Sequence, residues 1–410
     1  MSDAATPLWN PSSPELQADP HPVFARLRRE APIFAHVMDD GRISWMVTRY
    51  RDCAAILRDP SWSAEKFPSA ALQAIAAAPQ APFSVVARTA LGMMLLKDGA
   101  DHARLRTLVN KAFTPRVITE LAPHVRAITG ELLDAAARRG EFDAIADLAM
   151  PLPMTVIAEL LGVPLEDRAR LKRWSDALVT FLDGTIRAGG LEDSARACVE
   201  MRETMDQLFA ERRARPREDL ISRLLAAREL DDRLSDDELF STVVLILAAG
   251  HETTTNLIGN GLYTLLRHPD ELAKLRARPD LIGNAVEELL RFEGPVTLTS
   301  RIPAGRTARA LEGFEIRAED EVTVVLAAAN RDPEVFPDPD RLDLARGDSR
   351  HLAFGFGAHF CLGAALARLE GQIALGAALS RFPSMKLADE TPRWRPGIVL
   401  RGFSSLAVRL

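Results

Sequence analysis

Apolar residues recur at intervals of three and four almost without a break from about Asp101 to Pro295, and proline and glycine in that stretch are confined to the joints. This spacing predicts a succession of amphipathic helices, because it lines one face of a 3.6-residue period. Outside that stretch the pattern changes. Ile33 to Thr48 alternates around Asp39-Asp40-Gly41-Arg42, which predicts a β-hairpin with a glycine-containing turn. Val322 to Ala327 is a short apolar run expected to be a buried strand, and Val399 to Leu410 again reads as extended. The fold class expected is mainly α with small β-sheets. The most sharply bounded element is a long helix from Ser235 to His268, opened by the capping box Ser235-Asp236-Asp237-Glu238 and stopped by Pro269. Its middle departs from its own pattern. Ala249-Gly250-His251-Glu252-Thr253-Thr254-Thr255-Asn256 sets a glycine, a carboxylate and three β-branched alcohols between apolar flanks. Such residues weaken a helix, so the segment has a purpose other than helix stability.

At 410 residues the chain exceeds the size at which one core usually stops growing. No internal repeat is present, and the Pro/Gly clusters at Pro79 to Pro82, Asp183 to Gly190 and Asp332 to Asp340 are turn-sized, not linkers. One large domain over residues 1–410 is expected, with an extended, proline-rich start of about 20 residues. A net charge of −6 excludes a global basic field that would draw the protein to nucleic acid or an anionic membrane. Three cysteines, Cys53, Cys198 and Cys361, are too few and too scattered for a disulfide framework and suggest a reducing, cytoplasmic setting. The longest aliphatic run, Val243 to Ala249, falls far short of the roughly 20 residues of a membrane span, so no membrane anchor is expected.

The most specific chemistry lies in Phe354-Gly355-Phe356-Gly357-Ala358-His359-Phe360-Cys361-Leu362-Gly363, followed by an amphipathic helix from Ala364 to about Leu379. A lone cysteine is usually an inert buried hydrophobe. Here three glycines allow the backbone close to a flat ligand, and a helix beginning just after Cys361 directs N–H groups and a positive dipole end at the sulfur. That is a metal-binding thiolate environment. Zinc is a poor candidate, since no second Cys or His stands at zinc-ligand spacing and His359 alone does not suffice. A single axial thiolate suits haem.

The loop Phe354-Gly-x-Gly-x-His-x-Cys361-x-Gly363 resembles the haem-binding loop of the cytochromes P450. Glu288-Leu289-Leu290-Arg291 is similar to the ExxR helix of that family, and Ala249-Gly250-His251-Glu252-Thr253-Thr254 to its oxygen-activating helix. The three stand in the family's order, the resemblance extends over essentially the whole chain, and it is nearest the soluble bacterial branch. It implies the P450 fold, haem b (iron protoporphyrin IX) and Cys361 as iron ligand. Phe354, Gly355, Gly363 and Ala249 would lie against the haem, and His102, Arg106, Arg301 and His359 would bind its propionates. Glu288 and Arg291, i and i+3 on one helix, would take a third member, Arg341, as support of the haem loop. Glu252 and Thr253 would be the acid–alcohol pair that delivers protons during oxygen activation, with His251 a polar packing residue.

By the same resemblance the activity is a monooxygenase that inserts one atom of O2 into an apolar substrate, by hydroxylation or epoxidation. Fatty acids, terpenoids, steroids and macrolides all suit a pocket lined by Leu245, Ala249, Val296, Leu298, Ile398 and Val399, with segments 62–96 and 174–200 and a lid hinged at Gly184 and Gly189-Gly190. No electron-transfer module fits in the remaining length, so electrons are expected from a separate ferredoxin and its NAD(P)H-dependent reductase, docked on a patch containing Arg104 and Arg350. A monomer is expected. Two alternatives stand beside this reading: a peroxide-driven P450, which usually lacks the acid–alcohol pair, and a non-catalytic haem-thiolate sensor or binding protein.

Overall fold

A computed structural model of the protein describes the chain except residues 1–8, 12, 39–40, 66–68, 79–82, 165–167, 183–189, 228–231, 349 and 390–391. The Pro79 to Pro82 cluster and the joints at Gly184 and Gly189 therefore lie outside the described residues. The chain divides into two compact units. The first comprises residues 1–63, 129–149 and 253–410, and the second comprises 64–128 and 150–252. The long helix, observed as Asp236–Arg267, contributes residues through Glu252 to the second unit and from Thr253 to the first.

Among the described residues the strands all belong to the first unit: β1 (Ile33–Val37), β2 (Ile43–Val47), β3 (Trp62–Ser63), β4 (Glu141–Asp143), β5 (Thr299–Pro303), β6 (Arg309–Leu311), β7 (Phe314–Ile316), β8 (Glu321–Val324), β9 (Lys386–Leu387) and β10 (Ala407–Arg409). The main sheet runs β1-β2-β8-β5-β3. The hairpin is present, with Ile33 opposite Val47 and Gly41 at φ +82° in the turn. The buried strand is shorter than the apolar run suggested. β8 ends at Val324, and Leu326–Ala329 forms a helical turn instead, with Ala327 and Ala328 packed against Trp9, Phe24 and Leu27 and with Leu326 and Ala329 in the neighbouring core cluster. The three-stranded sheet β4-β10-β9 joins residues more than 260 positions apart, and β4 is a short break in the stretch expected to be nearly all helical.

Both ends of the first unit meet at Glu293, just after the helix Ile282–Phe292. His21 Nε2 stands 3.1 Å from its carboxylate and Arg401 Nε 2.5 Å, while Arg401 also donates to the carbonyls of Gln17 and Ala18. Burial alone would push the Glu293 carboxyl up, but Arg401 and His21 outweigh it and hold the group well below the ordinary range. The second unit is built of helices among the described residues, around buried Trp174, Met201, Met205, Phe209 and Phe240.

Candidate active site

In the first unit, the Cys361 loop is held from behind by close backbone packing. Gly355 and Gly357 have φ of +70° and +74°, and a Cβ on Gly357 would come within 2.6 Å of the Leu57 carbonyl at the end of the helix Tyr50–Arg58. Only glycine fits there without displacing that helix end. The Cys361 N–H donates to the Phe354 carbonyl at 2.9 Å, closing the loop, and the helix Ala364–Arg381 starts three residues later with Gly363 as its N-cap. Cys361 is exposed, whereas Cys53 and Cys198 are buried. Burial pushes the Cys53 thiol up and that of Cys198 to about 12, so neither yields a thiolate near neutrality.

Two adjacent carboxylates on the helix Ile282–Phe292 support this loop. Glu288 receives Arg291 Nε and Nη2 at 2.7 and 2.9 Å, and both residues are buried. Arg291 Nη1 then donates to the carbonyls of Asn330 and Pro339. The third member expected at Arg341 is corrected. The Arg341 side chain is 67% exposed and pairs with Asp343, whereas Arg346, 9% exposed, donates to Glu288 at 3.2 Å. The meander turns the later arginine inward and leaves Arg341 to take part through its carbonyl, which accepts from Arg291 and Arg346. Sequence reasoning missed the neighbour, Glu287. Arg368 grips it at 2.6 and 2.8 Å, and His351 Nε2 lies 3.2 Å away. Burial raises the Glu287 carboxyl, but Arg368 and His351 outweigh it and hold it near about 2. The Arg368 guanidinium also lies 4.6 Å over the Phe354 ring and is influenced by the Cys361 sulfur. The doubled carboxylate Glu287-Glu288 was the available signal.

In the second unit, the long helix opens with the reciprocal cap foreseen: Glu238 N–H donates to Ser235 Oγ at 3.3 Å and Ser235 N–H to Glu238 Oε2 at 2.9 Å. Arg104, expected on a docking face, is 31% exposed and ion-paired with Glu238 and with Asp232, at 3.3 Å from the latter. Arg350 is 68% exposed and paired with Asp348. A Cβ on Gly250 would meet the terminal methyl of Ile157. His251 and Glu252 are buried, while Leu245, Ala249 and Thr253, at i, i+4 and i+8, form a partly open stripe on a helix otherwise largely enclosed.

Of the residues expected at propionates, His102 is buried and Arg106 half-buried, one turn apart on the helix Gly99–Ala112. Arg301 is buried on β5, with Nη1 on the Ser300 carbonyl, and His359 is half-buried in the loop. The structure brings the two apolar segments Val296 to Leu298 and Ile398 to Leu400 side by side: Val296 bridges Leu400, and Thr297 N–H donates to the Val399 carbonyl at 2.9 Å.

The cytochrome P450 family profile matches residues 78–280 and 280–399. The chain belongs to the cytochrome P450 family. P450 relatives cover nearly its whole length. It is 43% identical to the cytochrome P450 monooxygenase PikC of Streptomyces venezuelae, over 96% of this chain and 92% of the relative. It is 38% identical to the polyketide biosynthesis cytochrome P450 PksS of Bacillus subtilis (strain 168), over 98% of each. Among solved structures, P450BioI bound to hexadec-9Z-enoic acid ligated acyl carrier protein superposes with a TM-score of 0.89 at 38% identity, over 97% of this chain and 100% of that one. The protein is thus a P450 monooxygenase with the P450 fold, and its cofactor is haem b. Among the described residues no helix is long and apolar enough to cross a membrane.

Proposed function

We propose that this P450 oxidises a bulky apolar acyl or polyketide-type substrate, with Cys361 as the haem ligand and Glu252 and Thr253 as the proton-delivering pair. The carrying observation is the contrast among the cysteines: Cys361 is the exposed one, in a loop whose glycines keep the backbone low and whose following helix favours a thiolate. The donor chemistry fits haem, which when bound supplies dioxygen activation. Phe354, Gly355, Gly363 and Ala249 would face the macrocycle. His102, Arg106, Arg301 and His359 would neutralise its carboxylates, because two propionates leaving water need cationic partners.

Thr253 offers a hydroxyl on the open stripe of the long helix, and buried Glu252 beside it holds or yields a proton. Leu245, Ala249, Val296, Leu298, Ile398 and Val399 supply an apolar lining, which excludes water and orients a hydrophobic substrate. The substrate class is supported by those side chains and by relatives named for polyketide biosynthesis and for an acyl-carrier complex. Electrons come from a separate ferredoxin and NAD(P)H-dependent reductase, and the whole chain works as one monomeric P450 domain. The presence of both Glu252 and Thr253 favours this reading over a peroxide-driven enzyme.

The test is the reduced, CO-bound spectrum. Wild type should show the red-shifted band of thiolate ligation, Cys361→Ser should lose it, and Cys53→Ser and Cys198→Ser should keep it. A Cys361 variant that kept the band would overturn the ligand assignment. A library screen for ligand-induced shifts of the haem absorption band then tests the substrate class, and hits restricted to small charged molecules would reject it.

A further inference from the structure

His251 is a buried titratable side chain in the middle of the long helix to which the function above assigns nothing; it is 1% exposed. Its Nδ1 lies 3.2 Å from the Leu247 carbonyl one turn earlier and 3.1 Å from Ser175 Oγ, which the helix Arg168–Leu182 brings in fully buried. A carbonyl oxygen only accepts, so Nδ1 carries the ring hydrogen and Nε2 keeps its lone pair. Nε2 stands 3.8 Å from Glu252 Oε2. That is beyond a direct hydrogen bond and within ion-pair range.

Burial lowers the imidazole's affinity for a proton, and the Glu252 carboxylate opposes that. The other charged groups acting on it, Asp176 and Lys172 of the Arg168–Leu182 helix, pair with each other at 2.6 Å, so their opposite effects largely offset.

We propose that His251 is a positioning residue for Glu252: clamped at Nδ1 by Leu247 and Ser175, it holds one shared proton with the Glu252 carboxyl and sets the position from which Glu252 passes a proton toward Thr253. This rests on the reading of Glu252 as the proton donor. The shared proton lies on the carboxyl or on Nε2. When Glu252 gives it up, a carboxylate faces a neutral imidazole, and one proton from solvent restores the pair.

His251→Asn separates the two sides of the ring, because its amide nitrogen takes the place of Nδ1 while nothing occupies that of Nε2. Histidine-15N NMR of the reduced, CO-bound holoenzyme, with the His251 signal assigned by its loss in His251→Asn, should show Nδ1 protonated. Its titration should move by about one pH unit in Glu252→Gln. An Nε2–H tautomer, or a titration indifferent to Glu252→Gln, overturns the proposal. In NADPH oxidation through a surrogate ferredoxin and reductase, His251→Asn and Glu252→Gln should each be slowed roughly tenfold and lose the same limb of the pH profile, with the double variant no slower than either. Haem content and the CO spectrum should be unchanged in all three, and His251→Gln serves if the Asn variant fails to load haem. If Glu252→Gln is slow and His251→Asn has the wild-type rate and pH profile, His251 is structural and the proposal fails. If Glu252→Gln itself has the wild-type rate, the reading of Glu252 fails while the NMR still decides the pairing.

Discussion

Glu288, behind the Cys361 loop, and Glu252, in the middle of the long helix, are 3% and 5% exposed, yet the two carboxylates keep different company. Glu288 is met by two guanidiniums and a backbone N–H, those of Arg291, Arg346 and Asp343. Its neighbour Glu287 has Arg368 and His351. Around Glu252 the same helix supplies an imidazole and alcohols, and one turn on, the Thr255 hydroxyl and both amide atoms of Asn256 find no protein partner. A buried carboxylate held between two guanidiniums is a cross-link, since removing either partner leaves a buried charge uncompensated. Glu252 has beside it an imidazole, a group that itself exchanges protons near neutrality. Depth of burial therefore does not distinguish the two carboxylates; the chemistry of their neighbours does.

The sharpest way to break this contrast is Arg291→Ala. It leaves Glu288 buried with one cation instead of two, and should cost about 3–5 kcal/mol, seen as loss of soluble haem-loaded protein. Normal haem retention would mean that Glu288 is no cross-link. Glu370, on the helix after Cys361, is the scaffold's exception. It is 1% exposed, its Oε2 has no protein partner, and burial raises its carboxyl to about 8. The folded chain thus keeps a proton that the unfolded chain releases above its ordinary value of 4.5. The associated stability is present below about pH 4.5 and is lost as pH rises toward 8, on the order of a few kcal/mol in all. Denaturant midpoints of Glu370→Gln should accordingly exceed wild type at pH 8 by more than at pH 5, and an equal difference at both would place the carboxyl in contact with solvent.

Thr253→Ala probes the other side of the comparison. Haem content, CO spectrum and ligand affinity should stay intact, while product formed per NAD(P)H falls roughly tenfold and hydrogen peroxide accumulates. Full coupling would remove Thr253 from proton delivery and revive the sensor alternative. The smallest effect separates the two meander arginines. Arg346→Ala should destabilise by about 1–3 kcal/mol, because it removes a buried hydrogen-bonded charge, and Arg341→Ala by less than about 0.5 kcal/mol. Thermal melts that reversed this order would restore Arg341 as the partner of Glu288.

The features legible in the sequence are those written by near neighbours. The Ser235/Glu238 cap, the hairpin around Gly41 and the glycines before Cys361 each follow from residues a few positions apart. The rest depends on distant partners. Arg341 and Arg346 are equivalent as text, and only the path of the meander decides which points inward. Glu287 looks like a surface charge until Arg368, some 80 residues later, closes on it. β4 is three residues long and exists because β10 pairs with it from the far end of the chain.

The approach of Gly357 to the Leu57 carbonyl has a consequence in time. Leu57, which backs the Cys361 loop, is synthesised about 300 residues before that loop, and β10 and the Arg401 contacts come later still. The first unit is assembled from the two ends and an insert, whereas the second is made of two intervening segments that are complete before Cys361 has been synthesised. Folding that proceeds from the N-terminus leaves the first 63 residues waiting for their partners through most of translation. A chain ending between Gly363 and β10 would carry all three P450 motifs and still lack the β4–β10 pairing that completes the first unit.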